Sequence, residues 1–250
     1  MIGHFLNAVG FLSVLPLRGK QPYQTGDLGR SALFFPLVGV LMGALTAGAN
    51  YLFGLVFPSL INSALTLCFW IFISGGLHLD GVADCFDGML NASAPERRLE
   101  IMKDSRLGTF GGLGLILLIL LKFVCLLALP GARIRLLLPL AMGISRWLLL
   151  WAGKQPSARP GGMGAEFAGG LKPSAFLIAG LTALVLTAAA VWQLGWTALA
   201  AVLAVHLLAL LIFQSARRRL GGVTGDVFGL LVEFSELLIL LIFVIRSGAA

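Results

Sequence analysis

The stretch Gly111-Gly112-Leu113-Gly114-Leu115-Ile116-Leu117-Leu118-Ile119-Leu120-Leu121-Lys122-Phe123-Val124-Cys125-Leu126-Leu127-Ala128-Leu129 carries one charge, on Lys122. A helix needs about 20 mainly apolar residues to cross a bilayer core, and this run has that length. Residues 31–57, 60–79, 134–151, 175–192, 196–213 and 227–245 read the same way. The expected fold is all-α: a polytopic integral membrane bundle of about seven transmembrane helices. Composition agrees, with 58% hydrophobic residues, 12% charged residues and a mean hydropathy of +0.97, well beyond soluble globular chains. Residues 1–17 are apolar but short and have no basic residues ahead of the apolar run, so they read as a buried or interfacial helix that stays attached. Cys68, Cys85 and Cys125 are scattered singly and give no disulfide framework or metal-ligand spacing. No repeat or long linker divides residues 1–250, which read as one domain.

Lys and Arg are retained on the cytoplasmic side of a membrane. Alternate loops place 13 of the 18 bases on one side, from Arg18, Lys20 and Arg30 to Arg217, Arg218 and Arg219. Only Arg133, Arg135 and Arg246 fall on the other, while Lys122 and Arg146 lie inside spans. The basic side is therefore read as the cytoplasm of a bacterial inner membrane, and the carboxyl terminus as external. The net charge of +7 is mostly this bias and gives no argument for nucleic acid. Nine of the 11 acids fall on the same side, and the other two, Glu233 and Glu236, lie inside the last span. Chemistry is expected on that face.

Three clusters lie there. In Gly75-Gly76-Leu77-His78-Leu79-Asp80-Gly81-Val82-Ala83-Asp84-Cys85-Phe86-Asp87-Gly88, helical spacing puts Asp80, Asp84 and Asp87 on one face. Three hard oxygen donors on a stripe call for a divalent cation, Mg²⁺ or Mn²⁺ rather than Zn²⁺. His78 reads either as a phosphate contact or base, or as a hydrogen-bonded packing residue. The second cluster, Ile101-Met102-Lys103-Asp104-Ser105-Arg106-Leu107-Gly108-Thr109-Phe110-Gly111-Gly112, offers cations, hydroxyls and glycines that let backbone amides approach an anion. Beside an acidic metal site, it suggests a metal-bound pyrophosphate. The third, Gly221-Gly222-Val223-Thr224-Gly225-Asp226, precedes Glu233 and Glu236. An intramembrane carboxylate needs a partner or a wet cavity, so Glu233 is read either as a ligand contact or as a bridge to Arg146 or Lys122. Arg159 and Glu166 sit in a glycine-rich stretch, residues 155–170, that reads as a lid or as an ordinary connection.

These blocks, together with Phe34-Phe35-Pro36-Leu37-Val38-Gly39 and Gly162-Met163-Gly164-Ala165-Glu166, resemble the cobalamin synthase family, the adenosylcobinamide-GDP ribazoletransferases. Cys85 and Phe86 depart from the small or hydroxyl residues usual in that family, but Phe86 should point away from the acidic face. The resemblance implies transfer of adenosylcobinamide phosphate from adenosylcobinamide-GDP to a ribose hydroxyl of α-ribazole or its 5′-phosphate, with release of GMP. It implies Mg²⁺, or Mn²⁺, on Asp80, Asp84, Asp87 and Asp104, with Asp104 or Asp87 as the proton acceptor. Substrate contacts are expected from His78, Lys103, Ser105, Arg106, Gly108, Arg159, Asp226 and Glu233. Membrane lipid is an expected partner, and the oligomeric state, a homo-oligomer included, is left open. Two rivals share features: a CDP-alcohol phosphotransferase, whose motif requires Arg where Asp84 stands, and a divalent cation transporter, which expects acids spread through the membrane depth. On this topology, a cysteine placed at Ser93 is expected to label from the cytoplasm and a reporter fused after Ala250 to read as external. An internal signal at Ala250 would mean that a span is miscounted.

Overall fold

The computed structural model describes residues 1–17, 26–159 and 161–247. Arg18, Lys20 and Ala250 lie outside the described residues, as do the side chains of Met163 and Arg246. Twelve α-helices make up the described chain: α1 (Ile2–Leu12), α2 (Asp27–Ser31), α3 (Phe35–Gly54), α4 (Ser59–Ser74), α5 (Leu77–Met89), α6 (Pro95–Ile101), α7 (Thr109–Ala128), α8 (Gly131–Ala152), α9 (Met163–Gly170), α10 (Pro173–Leu194), α11 (Trp196–Leu220) and α12 (Gly225–Ser247). A 3₁₀ turn, Ala32–Phe34, joins α2 to α3. The membrane bundle expected from hydropathy is present. Six segments are long and apolar enough to cross a bilayer, or seven if α4 and α5 count as one broken span.

That break revises the second expected span, which was to run through residue 79. Gly75 and Gly76 take left-handed backbone angles, φ 62° and 66°, a conformation that side chains with a Cβ rarely adopt. The chain turns by 91° there, so α5 runs across the bundle end. Chain parity assigns the return between α3 and α7 to α4. Tyr51, near the end of α3, lies under the Arg135 guanidinium near the start of α8, 5.4 Å away. That is the end opposite the start of α7, so the chain must return between α3 and α7, and α4 is the only apolar helix there. Residues 1–17 include the short apolar helix α1, which buries Ala8, Val9 and Leu12.

At the α5 end, loops and helix termini are tied together. Arg98 Nη1 donates to the Arg219 carbonyl at 3.1 Å, and Arg219 Nη1 donates to the Met89 carbonyl at 2.6 Å. The connection after α8 pairs with the one before α12, Ala158 N–H to Val223 O at 2.9 Å and Val223 N–H to Pro156 O at 2.8 Å. These bonds gather α5, α6, α11 and the approach to α12 around one site.

The core centres on α8. Within its apolar stretch 78% is buried, against 22% for α10, whose Leu177, Leu181 and Leu184 face the bilayer. Helices in lipid gain little from the hydrophobic effect between themselves, so close packing through small residues drives their association. Gly39 and Gly43 of α3 lie one turn apart against the backbone of α8: a Cβ at Gly39 would sit 2.7 Å from Met142 C, and one at Gly43 2.6 Å from Leu138 C. Gly81 of α5 and Gly229 of α12 do the same at their crossing, 2.6 Å from Asp226 O and 2.7 Å from His78 O. Gly48, by contrast, has nothing within 4 Å of a built Cβ. Gly43→Val is therefore expected to destabilise the protein by about 1–3 kcal/mol or more through overpacking, seen as a lower Tm in detergent, while Gly48→Ala leaves Tm within error. Equal Tm shifts for the two would refute the close α3–α8 crossing.

Candidate active site

Because α5 is a separate helix, its acidic stripe is presented along the bundle end. The three acids nevertheless do different things. Asp87 turns to the start of α7, where its Oδ2 accepts the Gly108 N–H and its Oδ1 the Gly111 N–H, each at 2.8 Å. The amides that the sequence offered to a phosphate are thus taken by the protein's own carboxylate, an N-terminal cap. Asp80 lines a cavity of about 310 Å³. Asp84 lies between them, and the charges acting on it are, in order, those of Asp226, Asp80, Arg159 and Asp87. Among the described residues, no hydrogen bond or ion pair engages Asp80 or Asp84.

The third cluster joins them through the Gly81–Asp226 approach. Asp226 Oδ2 accepts from Thr224 Oγ1 at 3.1 Å and from Arg159 Nη1 at 3.3 Å, and Arg159 Nη2 reaches the Leu99 carbonyl at 3.0 Å. Arg159 and Asp226 both line the cavity. The rest of the glycine-rich stretch is not a simple loop, since α9 occupies Met163–Gly170 and Glu166 accepts from Gly26 N–H at 3.4 Å. Among the described residues, Arg159 is the one Lys or Arg in the cavity lining, against Asp80 and Asp226 there and Asp84 in the field of both, and negative charge is in excess.

The second cluster stands apart. Lys103, Asp104, Ser105 and Arg106 are exposed, and the Arg106 guanidinium forks onto Asp104, with Nη2 to Oδ2 at 2.6 Å and Nε to Oδ1 at 3.0 Å. Those side-chain hydrogen bonds from Arg106, with its backbone N–H, hold the Asp104 carboxyl down at about 2. A carboxylate held that low is a poor proton acceptor near neutral pH. Asp104 is turned to Arg106 rather than to the α5 stripe, and Gly108 reaches the stripe only through its bond to Asp87.

Glu233 takes the bridge reading. Lys122 Nζ bonds Glu233 Oε2 at 2.5 Å and Glu236 Oε2 at 2.8 Å, and Arg146 bonds Glu236. This buried network neutralises two cations with two anions, and Glu233 is absent from the cavity wall. His78 lines the cavity but is buried, and its Nε2 has no partner among the described residues. Phe86 packs away from the acids, against Gly114 and Phe234. Sequence reasoning missed the cavity's apolar wall, built by Phe11, Phe35, Phe167 and Phe228. Those rings come from four helices, and no local pattern announces them.

No three His, Cys, Asp or Glu side chains among the described residues form a ready cage for a metal ion. Mg²⁺ does not need one: it keeps waters and is held by one or two carboxylates plus substrate phosphates. Asp84 and Asp226, hard oxygen donors within each other's field, fit that requirement.

The model of the family described as cobalamin-5-phosphate synthase matches residues 4–244. The chain is 37% identical over 238 residues to an adenosylcobinamide-GDP ribazoletransferase of Desulfitobacterium hafniense (strain Y51), covering 94% of this chain and 93% of the relative. It is 41% identical over 241 residues to the protein of that name from Pseudomonas syringae pv. syringae (strain B728a), covering 95% and 97%. With the one from Geotalea daltonii it shares 35% over 251 residues, 99% of each chain. No solved structure matches the chain. These similarities favour neither the CDP-alcohol phosphotransferase nor the transporter. With the family model matching nearly end to end, the chain belongs to the cobalamin-5-phosphate synthase family.

Proposed function

We propose that this protein transfers the adenosylcobinamide-phosphate part of adenosylcobinamide-GDP to a ribose hydroxyl of α-ribazole or its 5′-phosphate. GMP leaves, and adenosylcobalamin or its 5′-phosphate forms. The observation that supports the mechanism is the excess of carboxylates among the described residues: Asp80 and Asp226 line one cavity with Arg159, and Asp84, outside that lining, stands in the field of both. Asp84 and Asp226 would hold Mg²⁺ or Mn²⁺, which when bound neutralises the pyrophosphate and polarises the reacting phosphorus.

The chain's own residues do the rest. Arg159, fixed by Asp226 and the Leu99 carbonyl, presents its guanidinium to phosphate oxygens and stabilises charge on the departing GMP. Asp80, on the cavity wall and without a hydrogen-bond or ion-pair partner among the described residues, takes the proton of the attacking hydroxyl. Asp87 and Asp104, the two acceptors suggested by the sequence, are both engaged: Asp87 by the α7 amides and Asp104 by Arg106. Lys103 and Arg106, on the exposed turn, draw the anionic substrate toward this end of the bundle. The same end faces the cytoplasm of the bacterial inner membrane, on the strength of the basic residues gathered there. Lipid surrounds the outer helices.

The test is GMP and cobalamin production by purified protein given adenosylcobinamide-GDP and α-ribazole, with and without Mg²⁺ after chelation. Asp84→Asn and Asp226→Asn are expected to lower turnover by orders of magnitude and to raise the Mg²⁺ concentration for half-activity. Asp80→Asn is expected to cut kcat without moving that concentration, and Asp104→Asn to spare most of kcat. Stability separates the acids in a second way. Asp87→Ala strands two backbone N–H groups and is expected to lower stability by about 1–3 kcal/mol, whereas Asp84→Asn removes like-charge repulsion and is expected to hold or raise Tm. A fall in Tm for Asp84→Asn as large as that for Asp87→Ala would contradict this division of roles.

A further inference from the structure

We infer that the aromatic end of the cavity is the subsite for the flat two-ring base of the ribazole co-substrate, and that the guanosine and corrinoid parts of the other substrate bind outside it. The inference rests on the proposed transferase reading and adds which substrate fills which space. Phe35 stacks on Phe11 with centroids 6.0 Å apart and planes 14° from parallel, and on Phe167 at 5.7 Å and 15°. Phe228 meets the Phe167 ring edge-on at 5.8 Å and 76°. Four rings from α1, α3, α9 and α12 thus form one wall of the cavity, and the polar groups Asp80, Arg159 and Asp226 supply another part of its lining.

Size and polarity choose the occupant. The volume of about 310 Å³ lies at the lower limit for small-ligand sites, about 300–1,000 Å³, and a corrin macrocycle far exceeds it. Guanine would bring an amide and an amino group whose hydrogen bonds a wall of phenyl rings cannot replace. A benzimidazole riboside has an apolar base that packs against the half-buried Phe11 and Phe228, which the buried Phe35 and Phe167 back, and a polar sugar. With its base on the rings, the sugar is left for the acidic side, where Asp80 can reach a hydroxyl.

Two variants probe the wall without opening the buried core. Phe228→Leu keeps an apolar side chain but removes the ring. Gly164→Leu fills the space, since a Cβ at Gly164 finds Phe228 Cζ, Gly225 N and Thr224 C at 3.8 Å, an ordinary contact. The experiment is calorimetric binding of α-ribazole alone to the detergent-solubilised full chain, with Tm confirming that each variant folds, followed by steady-state kinetics. Both variants are expected to weaken α-ribazole binding about tenfold or more and to raise its KM similarly, with the KM for adenosylcobinamide-GDP changed less than twofold. Excess GMP is expected not to displace α-ribazole from the wild-type protein. Displacement by GMP, a rise confined to the KM for adenosylcobinamide-GDP, or unchanged α-ribazole binding in both folded variants overturns the inference. Normal α-ribazole binding with no GMP release by the wild-type protein would instead overturn the transferase reading and leave the subsite standing; no α-ribazole binding by the wild-type protein would overturn the subsite whatever the turnover.

Discussion

Four buried charges govern how this bundle assembles. Lys122, Arg146, Glu233 and Glu236 come from α7, α8 and α12, and a lone charge of this kind inside a membrane costs roughly 2.5–3.5 kcal/mol on insertion scales. Together they are neutral and pair with one another, with Ser145 adding a hydroxyl to Glu236 at 3.2 Å and Trp70 lying 4.2 Å below the Lys122 ammonium. Removing one member would leave an uncompensated charge, a loss of about 3–5 kcal/mol for buried pairs. Because such bonds have short reach, they fix both the rotation and the axial position of α12. Asp226, two turns earlier on the same helix, is thereby held at the crossing with α5, and the Gly81 and Gly229 contacts close without a side chain between the backbones.

The site's charge pattern then divides into acids with protein partners and acids without them. Asp87 is committed to two backbone amides and Asp104 to a guanidinium, so both lower the energy of the resting fold. Asp80 and Asp84 have no such partner among the described residues, and Asp84 stands in the field of three other carboxylates. Such an arrangement of like charges is unfavourable in the fold itself. An active site commonly accepts a local loss of stability of this kind, because the same interactions, if satisfied internally, would be unavailable to the reacting groups.

Much of this was legible in the residues. The apolar runs announce the spans, and the four- and three-residue intervals announce a helical stripe of acids, because both rest on local periodicity. The exits from periodicity were harder. A run that reads as one span through residue 79 is cut at Gly75–Gly76, since hydropathy averaging does not register two left-handed residues. Glu233 carried two readings, and only the position of α7 decided for Lys122. The glycines at 108 and 111 did mark an anion site, but a sequence does not say that the anion is Asp87, 21 and 24 residues earlier.

The aromatic wall shows the deeper limit. Phe11, Phe35, Phe167 and Phe228 lie far apart in a chain with 17 phenylalanines, and nothing distinguishes them from lipid-facing rings until four helices are assembled. Their convergence depends on backbone approaches made by small residues: Gly29 of α2 against Gly170, and Gly170 against Gly26, bring α9 onto α2, just ahead of α3, and α12 is set by the charge network. A cavity with a phenyl wall and carboxylates in its remaining lining is thus a consequence of how the bundle closes. Packing of small residues places Phe35 and Phe167, while neutralisation of buried charge sets α12 and with it both Asp226 and Phe228. A disturbance of the charge network therefore reaches the phenyl wall as well as the acids, because one helix carries a member of each.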